Sequence, residues 1–204
     1  MAKKTTEENS EEITRRAGRQ INIRAVAVND IAKQQACEIS EFQLTDDPFE
    51  VTDDPQIDLI VELVGGESTA REVVLRALEH GKHVVTANKA LIAIHGNEIF
   101  DVALGKGLVV AFEAAVAGGI SIIKVLREGL AGNRIERVIG IINGTTNFIL
   151  SEMHKKATPF SGVLVEAQRL GYAESDPSFD VEGIDAAHKL TILSSVAFGI
   201  PLDF

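Results

Sequence analysis

The stretch IDLIVELVGGESTAREVVLRALEHGKHVVTANKALIA, from Ile57 to Ala93, decides the fold. Its two apolar runs, Ile57 to Val64 and His83 to Ala87, are rich in β-branched residues, and Ser68 to His80 between them carries apolar residues at helical spacing. Strand, helix and strand in that order predict two parallel strands joined by a right-handed crossover. Working outward, Leu91 to Leu104 reads as a second helix and Gly107 to Phe112 (GLVVAF) as a further strand. Upstream, Ile21 to Val28 (INIRAVAV) reads as another strand. The runs are apolar nearly end to end, as strands covered on both faces require. A parallel α/β sheet is therefore expected over residues 1–117. Gly65-Gly66 closes one strand where such sheets bind ligands, and reads equally well as a turn that needs glycine.

After Ala117-Gly118-Gly119 the pattern changes. A helix from Ile120 to Leu130 leads to a strand Ile135 to Ile142. Asn143-Gly144-Thr145-Thr146 then opens a helix running to about Lys155, and Pro159 to Leu170 makes another. This predicts an α+β domain over residues 118–204. No internal repeat or low-complexity tract is visible. The first ten residues or so read as disordered, and Asp46 to Asp54, with its five acids together with Pro48 and Pro55, as a solvated loop.

Composition restricts the function. The chain has 204 residues, 45% of them hydrophobic, enough for a genuine core. Its formal charge of -10 argues against nucleic acid or an anionic membrane as partner and leaves a small molecule as the expected ligand. The single cysteine, Cys37, excludes an internal disulfide and reads as an ordinary buried thiol in a reducing compartment. No apolar run reaches membrane-spanning length, and the start, MAKKTTEENSEEITRR, is polar without a signal peptide. A cytoplasmic protein is expected.

The chemistry concentrates in GYAESDPSFDVEGIDAAHKL, Gly171 to Leu190, where Glu174, Asp176, Asp180, Glu182 and Asp185 surround Lys189. The acids would also serve simply as the start of a helix. If Gly183 to Gly199 is helical, however, Asp185 and Lys189 share a face at i and i+4, with His188 displaced from it. The apolar residues of that helix would partly desolvate Lys189, which favours proton exchange and makes it a candidate general acid. Lys89, just past a strand, could be a surface lysine, and Asn143 or Thr145 a plain helix cap. His80, His83, His95, His154 and His188 form no metal-ligand grouping and receive no chemistry.

TANKALIA (Thr86 to Ala93), FEAAVAGGI (Phe112 to Ile120), INGTTNFIL (Ile142 to Leu150) and Gly171 to Leu190, in this order, resemble homoserine dehydrogenase. The resemblance covers nearly all of the chain after about Glu11. It implies a Rossmann-like parallel sheet followed by a catalytic domain. It also implies NAD- or NADP-dependent interconversion of L-homoserine and L-aspartate 4-semialdehyde in threonine, methionine and isoleucine biosynthesis. By the same resemblance Lys189 is the proton donor to the aldehyde oxygen, and Lys89 lies at the nicotinamide and substrate as a second catalytic or binding lysine. Glu174 and Asp185 would hold the substrate, whose ammonium wants carboxylates, and Gly171 with Glu174 would touch the cofactor. A monovalent cation, sodium, would sit at Glu113, Val116, Gly118 and Ile120, largely on main-chain carbonyls, and a homo-oligomer through the substrate domain is implied.

The sequence also departs from that pattern. No G-x-G-x-x-G turn precedes Ile21, so the chain reads as starting inside the first helix, at EENSEEITRRAGR, with the first strand missing. It stops at Pro201-Leu202-Asp203-Phe204, within the substrate domain. The reading is of an internal portion that binds NAD(P)H weakly at best, with the sheet broken between the pair Ile21 to Val28 and Ile57 to Val64 and the pair His83 to Ala87 and Gly107 to Phe112. Ser121 replaces a usual proline, and Asn29-Asp30 stands where many relatives carry a basic residue, so NAD and NADP both stay open. The alternative function is a non-catalytic oligomerisation or amino-acid-binding module.

Overall fold

The computed structural model describes residues 8–31 and 42–204; Cys37 and most of the polar start lie outside them. The chain forms α1 (Ser10–Ala17), β1 (Ala25–Ala27), β2 (Gln43–Thr45), α2 (Pro48–Asp53), β3 (Leu59–Glu62), α3 (Ser68–Glu79), β4 (His83–Thr86), α4 (Lys89–Gly105) and β5 (Val110–Ala111). All pairings are parallel: β1 with β2, and β3 with β4 with β5. The mixed α/β fold with a Rossmann-like parallel sheet is as expected.

The break in the sheet is elsewhere than the sequence suggested. Leu59–Glu62 pairs directly with His83–Thr86, and among the described residues β1 does not pair with β3. The reason is β2, a three-residue strand that the apolar pattern does not announce. Counting it moves every later strand one place along the sheet order. The crossover helix α3 then joins neighbours, as short connections favour.

The segment expected as a solvated loop is also ordered. Asp47 accepts from the Phe49 amide and Pro48 occupies the first helical turn, so α2 starts with a cap and a pre-set φ. Thr52 is buried in it. Lys82 is buried as well, and its ammonium donates to the carbonyls of Asp54 and Ile57, which commits it to structure.

Helix α3 buries Ala70, Val73, Val74, Ala77 and Leu78, a stripe at i, i+3, i+4, i+7 and i+8 that packs on the sheet. Each of its larger side chains contributes about 1.5–3 kcal/mol on burial. Helix α4 buries Leu91, Ile92, Ala93, Ile99 and Ala103 into the same core.

A 3-10 turn (Glu113–Ala115) leads to the short α5 (Ile122–Lys124), which continues as a π turn, Val125–Gly129. Residues 135–142, expected as a strand, run without regular structure and pair with no strand among the described residues. Ile139 and Ile141 are exposed there, while Ile135 and Ile142 pack against the core. There follow α6 (Gly144–Lys156), α7 (Phe160–Arg169), α8 (Ser178–Val181) and α9 (Ile184–Phe198). Ile149, Val163, Ala167 and Ala173 make a small second core, whereas α9 joins the main one through Ile192 and Leu193. Among the described residues no helix is long and apolar enough to cross a membrane.

Candidate active site

Helix α9 starts after Gly183, whose φ of 81° only glycine adopts freely. Its first turn carries Asp185 and its second Lys189, and the Lys189 Nζ donates to Asp185 Oδ2 at 2.6 Å, the i, i+4 pair expected from the sequence. Lys89 opens α4, where the Asn88 side chain caps the helix by accepting from the Leu91 amide. Helices α4 and α9 pack together, which brings the Lys89 ammonium within 3.2 Å of Asp185 Oδ1. Both lysines thus converge on one carboxylate.

A third segment completes the cluster. The Ile142 carbonyl accepts from Lys189 at 2.8 Å. Asn143 caps α6 through its Oδ1, accepting from the Thr146 amide and hydroxyl. Its Nδ2 donates to Asp185 Oδ2 at 2.8 Å and to Asp180 Oδ1 at 2.7 Å. The cap is real, as the sequence indicated, but it uses only one end of the amide. The other end joins two acids that sequence reasoning left apart, and no local signal announces a contact between residues so distant along the chain.

Asp185 is 5% exposed. Burial works against its charge, but hydrogen bonds from Lys189, Asn143 and Lys89 outweigh that and hold the carboxyl below the ordinary aspartate range. It is ionised at neutral pH. Lys189 has three N–H donors, and among the described residues two of them are used, on Asp185 and the Ile142 carbonyl. Two ammoniums on one directly paired carboxylate leave an excess of positive charge, suited to an alkoxide or a polarised carbonyl.

Glu174 and Gly171 are not joined to this cluster. Among the described residues the Glu174 carboxylate makes no hydrogen bond or ion pair, and only its main-chain carbonyl is engaged, by Gln168. Gly171 follows α7 with a φ of 78°. The four residues expected at a cation lie in and after the 3-10 turn. Both Glu113 oxygens accept from the Ile123 and Lys124 amides, and the Ile120 carbonyl accepts from Ile122. The Glu113 carboxylate is thus committed to the start of α5.

His188 is 2% exposed, lies against the rings of Phe179 and Phe204, and neither ring nitrogen finds a partner among the described residues. Burial, followed by the charge of Lys89, holds it below the ordinary histidine range, against an opposing pull from Glu67 and Asp185. No group of histidine, cysteine or acid side chains among the described residues could hold a metal ion.

Residues 4–113 match the family described as homoserine dehydrogenase, NAD binding domain, and residues 122–204 the family described as homoserine dehydrogenase. Homoserine dehydrogenase of Pseudomonas aeruginosa is 62% identical over 97% of the chain, and that of Bacillus subtilis 42% identical over 98%. A crystal structure of homoserine dehydrogenase from Thiobacillus denitrificans superposes with a TM-score of 0.92 at 62% identity, over 98% of this chain and 46% of that one. A hyperthermophilic archaeal homoserine dehydrogenase in complex with NADPH superposes with a TM-score of 0.72 at 30% identity, over 95% and 55%. The chain spans about half the length of the curated relatives it matches, 45% and 46% for the two named.

Proposed function

Because the chain belongs to the homoserine dehydrogenase family, we propose that it carries a substrate and proton-transfer site for NAD(P)-dependent interconversion of L-homoserine and L-aspartate 4-semialdehyde. The family is one of NAD(P)-dependent oxidoreductases, and a nicotinamide cofactor follows from its NAD-binding domain. The observation that carries the reading is the meeting of Lys89 and Lys189 on Asp185, since three separate sequence blocks contribute to it. The nicotinamide, when bound, supplies hydride exchange at the substrate carbon. This chain's own residues do the rest.

In the reductive direction negative charge grows on the aldehyde oxygen, and the third N–H of Lys189 is suited to donate to that oxygen and deliver the proton. Lys89 adds a second positive charge on the same side. Asp185 holds both ammoniums in place, and the Ile142 carbonyl fixes the direction of Lys189. Glu174, exposed and with no side-chain partner among the described residues, is available to the substrate ammonium, and Oδ1 of Asp185 has a lone pair left for it. Gly171 and Glu174 stand as cofactor contacts. A monovalent cation such as sodium would rest on the main-chain carbonyls of Val116, Gly118 and Ile120 with Glu113 bracing the turn, and no step runs through it. A place in threonine, methionine and isoleucine synthesis, a cytoplasmic location and a homo-oligomer through the second domain belong to the same proposal.

The test is a spectrophotometric assay of the intact gene product with L-homoserine and either NAD or NADP. Reduction of one of them supports the reading. Amino-acid binding without reduction of either would replace it by a non-catalytic binding module.

A further inference from the structure

A second buried carboxylate sits at the same end of the sheet, outside the lysine cluster. Glu62, 1% exposed, ends β3 directly opposite Thr86, which ends β4, so the two side chains leave the same face. The Thr86 hydroxyl donates to Glu62 Oε2 at 2.5 Å. Glu62 Oε1 accepts from the amides of Val64 at 2.7 Å and Gly65 at 3.3 Å. The Thr86 oxygen in turn accepts from the Asn88 amide, and the Asn88 side chain donates to the Gly66 carbonyl at 2.6 Å while capping α4. Lys89 is the next residue.

The direction of this chain of bonds is forced. The one hydroxyl proton of Thr86 is spent on Glu62, so its oxygen must receive the Asn88 amide. Both Glu62 oxygens are thus engaged, Oε2 by Thr86 and Oε1 by the Val64 and Gly65 amides. The loop after β3 and the loop after β4 are tied together by this carboxylate. Gly65 and Gly66 have φ of 75° and 70°, and a Cβ on either would meet no atom within 4 Å. Their backbone therefore borders open space at the carboxyl edge of a parallel sheet, the edge where such sheets bind ligands.

We propose that Glu62 is a positioning residue whose buried carboxylate, through Thr86 and Asn88, fixes both the Gly65–Gly66 turn, at the sheet edge where the cofactor would bind, and the helix start that carries Lys89. The proposal rests on the reading of the site as a dehydrogenase site. A glutamine at position 62 removes the carboxylate, and with its Oε1 kept on the Val64 and Gly65 amides it turns its NH2 to Thr86, so that bond is reversed and the Thr86 proton loses its acceptor. Removal of the Thr86 hydroxyl breaks the same chain from the other side.

The experiment compares Glu62→Gln, Thr86→Val, Thr86→Ser and the double variant Glu62→Gln/Thr86→Val in the intact gene product. Three quantities are read: amide exchange without cofactor, dissociation constants for NADH and NADPH, and kcat with the KM for homoserine. Glu62→Gln and Thr86→Val each speed exchange at residues 64–66 and 88–91 and weaken cofactor binding and kcat by about tenfold, the size of one lost charge-assisted bond. The homoserine KM stays within about twofold, Thr86→Ser behaves as the parent, and the double variant is no worse than either single one, as in one shared network. Unchanged exchange and cofactor affinity in Glu62→Gln and Thr86→Val would overturn the proposal. So would a Thr86→Ser variant as impaired as Thr86→Val, which would mean that packing alone matters. Should Glu62→Gln fail to fold, the two Thr86 variants decide. Absence of homoserine turnover in the parent would sink the dehydrogenase reading, whereas exchange and cofactor binding would still test Glu62.

Discussion

Lys89 and Lys189 share one carboxylate: Lys189 donates to Asp185 Oδ2 at 2.6 Å, and Lys89 lies 3.2 Å from Oδ1. Two like charges are thereby held close together, each 32% or less exposed. Their mutual repulsion is offset only while Asp185 is charged and in place. Three consequences of that triad are measurable, and two more concern its surroundings.

Lys189→Ala should lower turnover by about 10²–10⁴, the range for loss of a positioned proton donor. Cofactor affinity should hardly change, because Lys189 has its partners in Asp185 and Ile142. Steady-state kinetics with a binding titration checks both. Turnover within about threefold of the parent would remove Lys189 from the mechanism.

The charge of Asp185 also makes stability depend on pH. Its carboxyl is held below the ordinary range in the folded state, so its contribution is fully present above the unfolded value of about 3.9 and is lost as pH falls through the folded value. Asp185→Asn should therefore cost about 3–5 kcal/mol near neutrality, the penalty for breaking a buried ion pair. The difference from the parent should shrink below about pH 4. Denaturant titrations at a series of pH values measure it, and a difference independent of pH would contradict the ionised triad.

Much of the fold was legible because its central elements are long, apolar and regularly spaced: Leu59–Glu62, Ser68–Glu79, His83–Thr86 and Lys89–Gly105 fall where the pattern put them. Gln43–Thr45 was not, because three residues with an exposed Gln43 carry too little periodicity. Residues 46–54 misled in the opposite direction. Their acids outweighed the Asp47-Pro48 start signal, which was there to be read. Within the site the Asp185–Lys189 spacing was visible from the sequence. Asn143 was readable as a cap and unreadable as a bridge, since its bonds to Asp180 and Asp185 exist only once α6 and α9 are packed.

His188 gives a second pH effect, at milder acidity. Its ring is held below the ordinary histidine range by burial and by Lys89, with Glu67 and Asp185 opposing. The unfolded chain then binds a proton more readily than the folded one, so stability should fall as pH drops below the unfolded value of about 6.5. Replacement by leucine, which has no ring nitrogen to protonate, should flatten the Tm profile between about pH 7.5 and 5.5. An unaltered slope would mean that other groups carry it.

Gly96 tests the seam between α4 and the segment that follows α9. A Cβ there would collide with Leu202 Cδ1, and Asn97 beside it binds the Leu202 backbone at both N–H and C=O. Gly96→Ala should destabilise the protein by about 1–3 kcal/mol through overpacking. A calorimetric Tm equal to that of the parent would show that the segment after α9 yields without cost.

The last prediction separates the two tasks of Asp185, orienting lysines and binding the substrate ammonium. Oδ2 is taken by Lys189 and Asn143, whereas among the described residues Oδ1 meets only Lys89, so one lone pair remains for a ligand. Glu174 has no such commitment to lysines. Glu174→Gln should therefore raise the KM for homoserine by about tenfold, the loss of one charge-assisted bond, with kcat nearly kept. For 4-hydroxybutanoate, which lacks the amino group, Glu174→Gln should change little. Asp185→Asn should lower kcat for both compounds, because Lys189 loses its anchor, and should raise KM for homoserine alone. Equal KM values for Asp185→Asn and the parent with homoserine would confine Asp185 to orienting Lys89 and Lys189 and leave Glu174 as the reader of the ammonium.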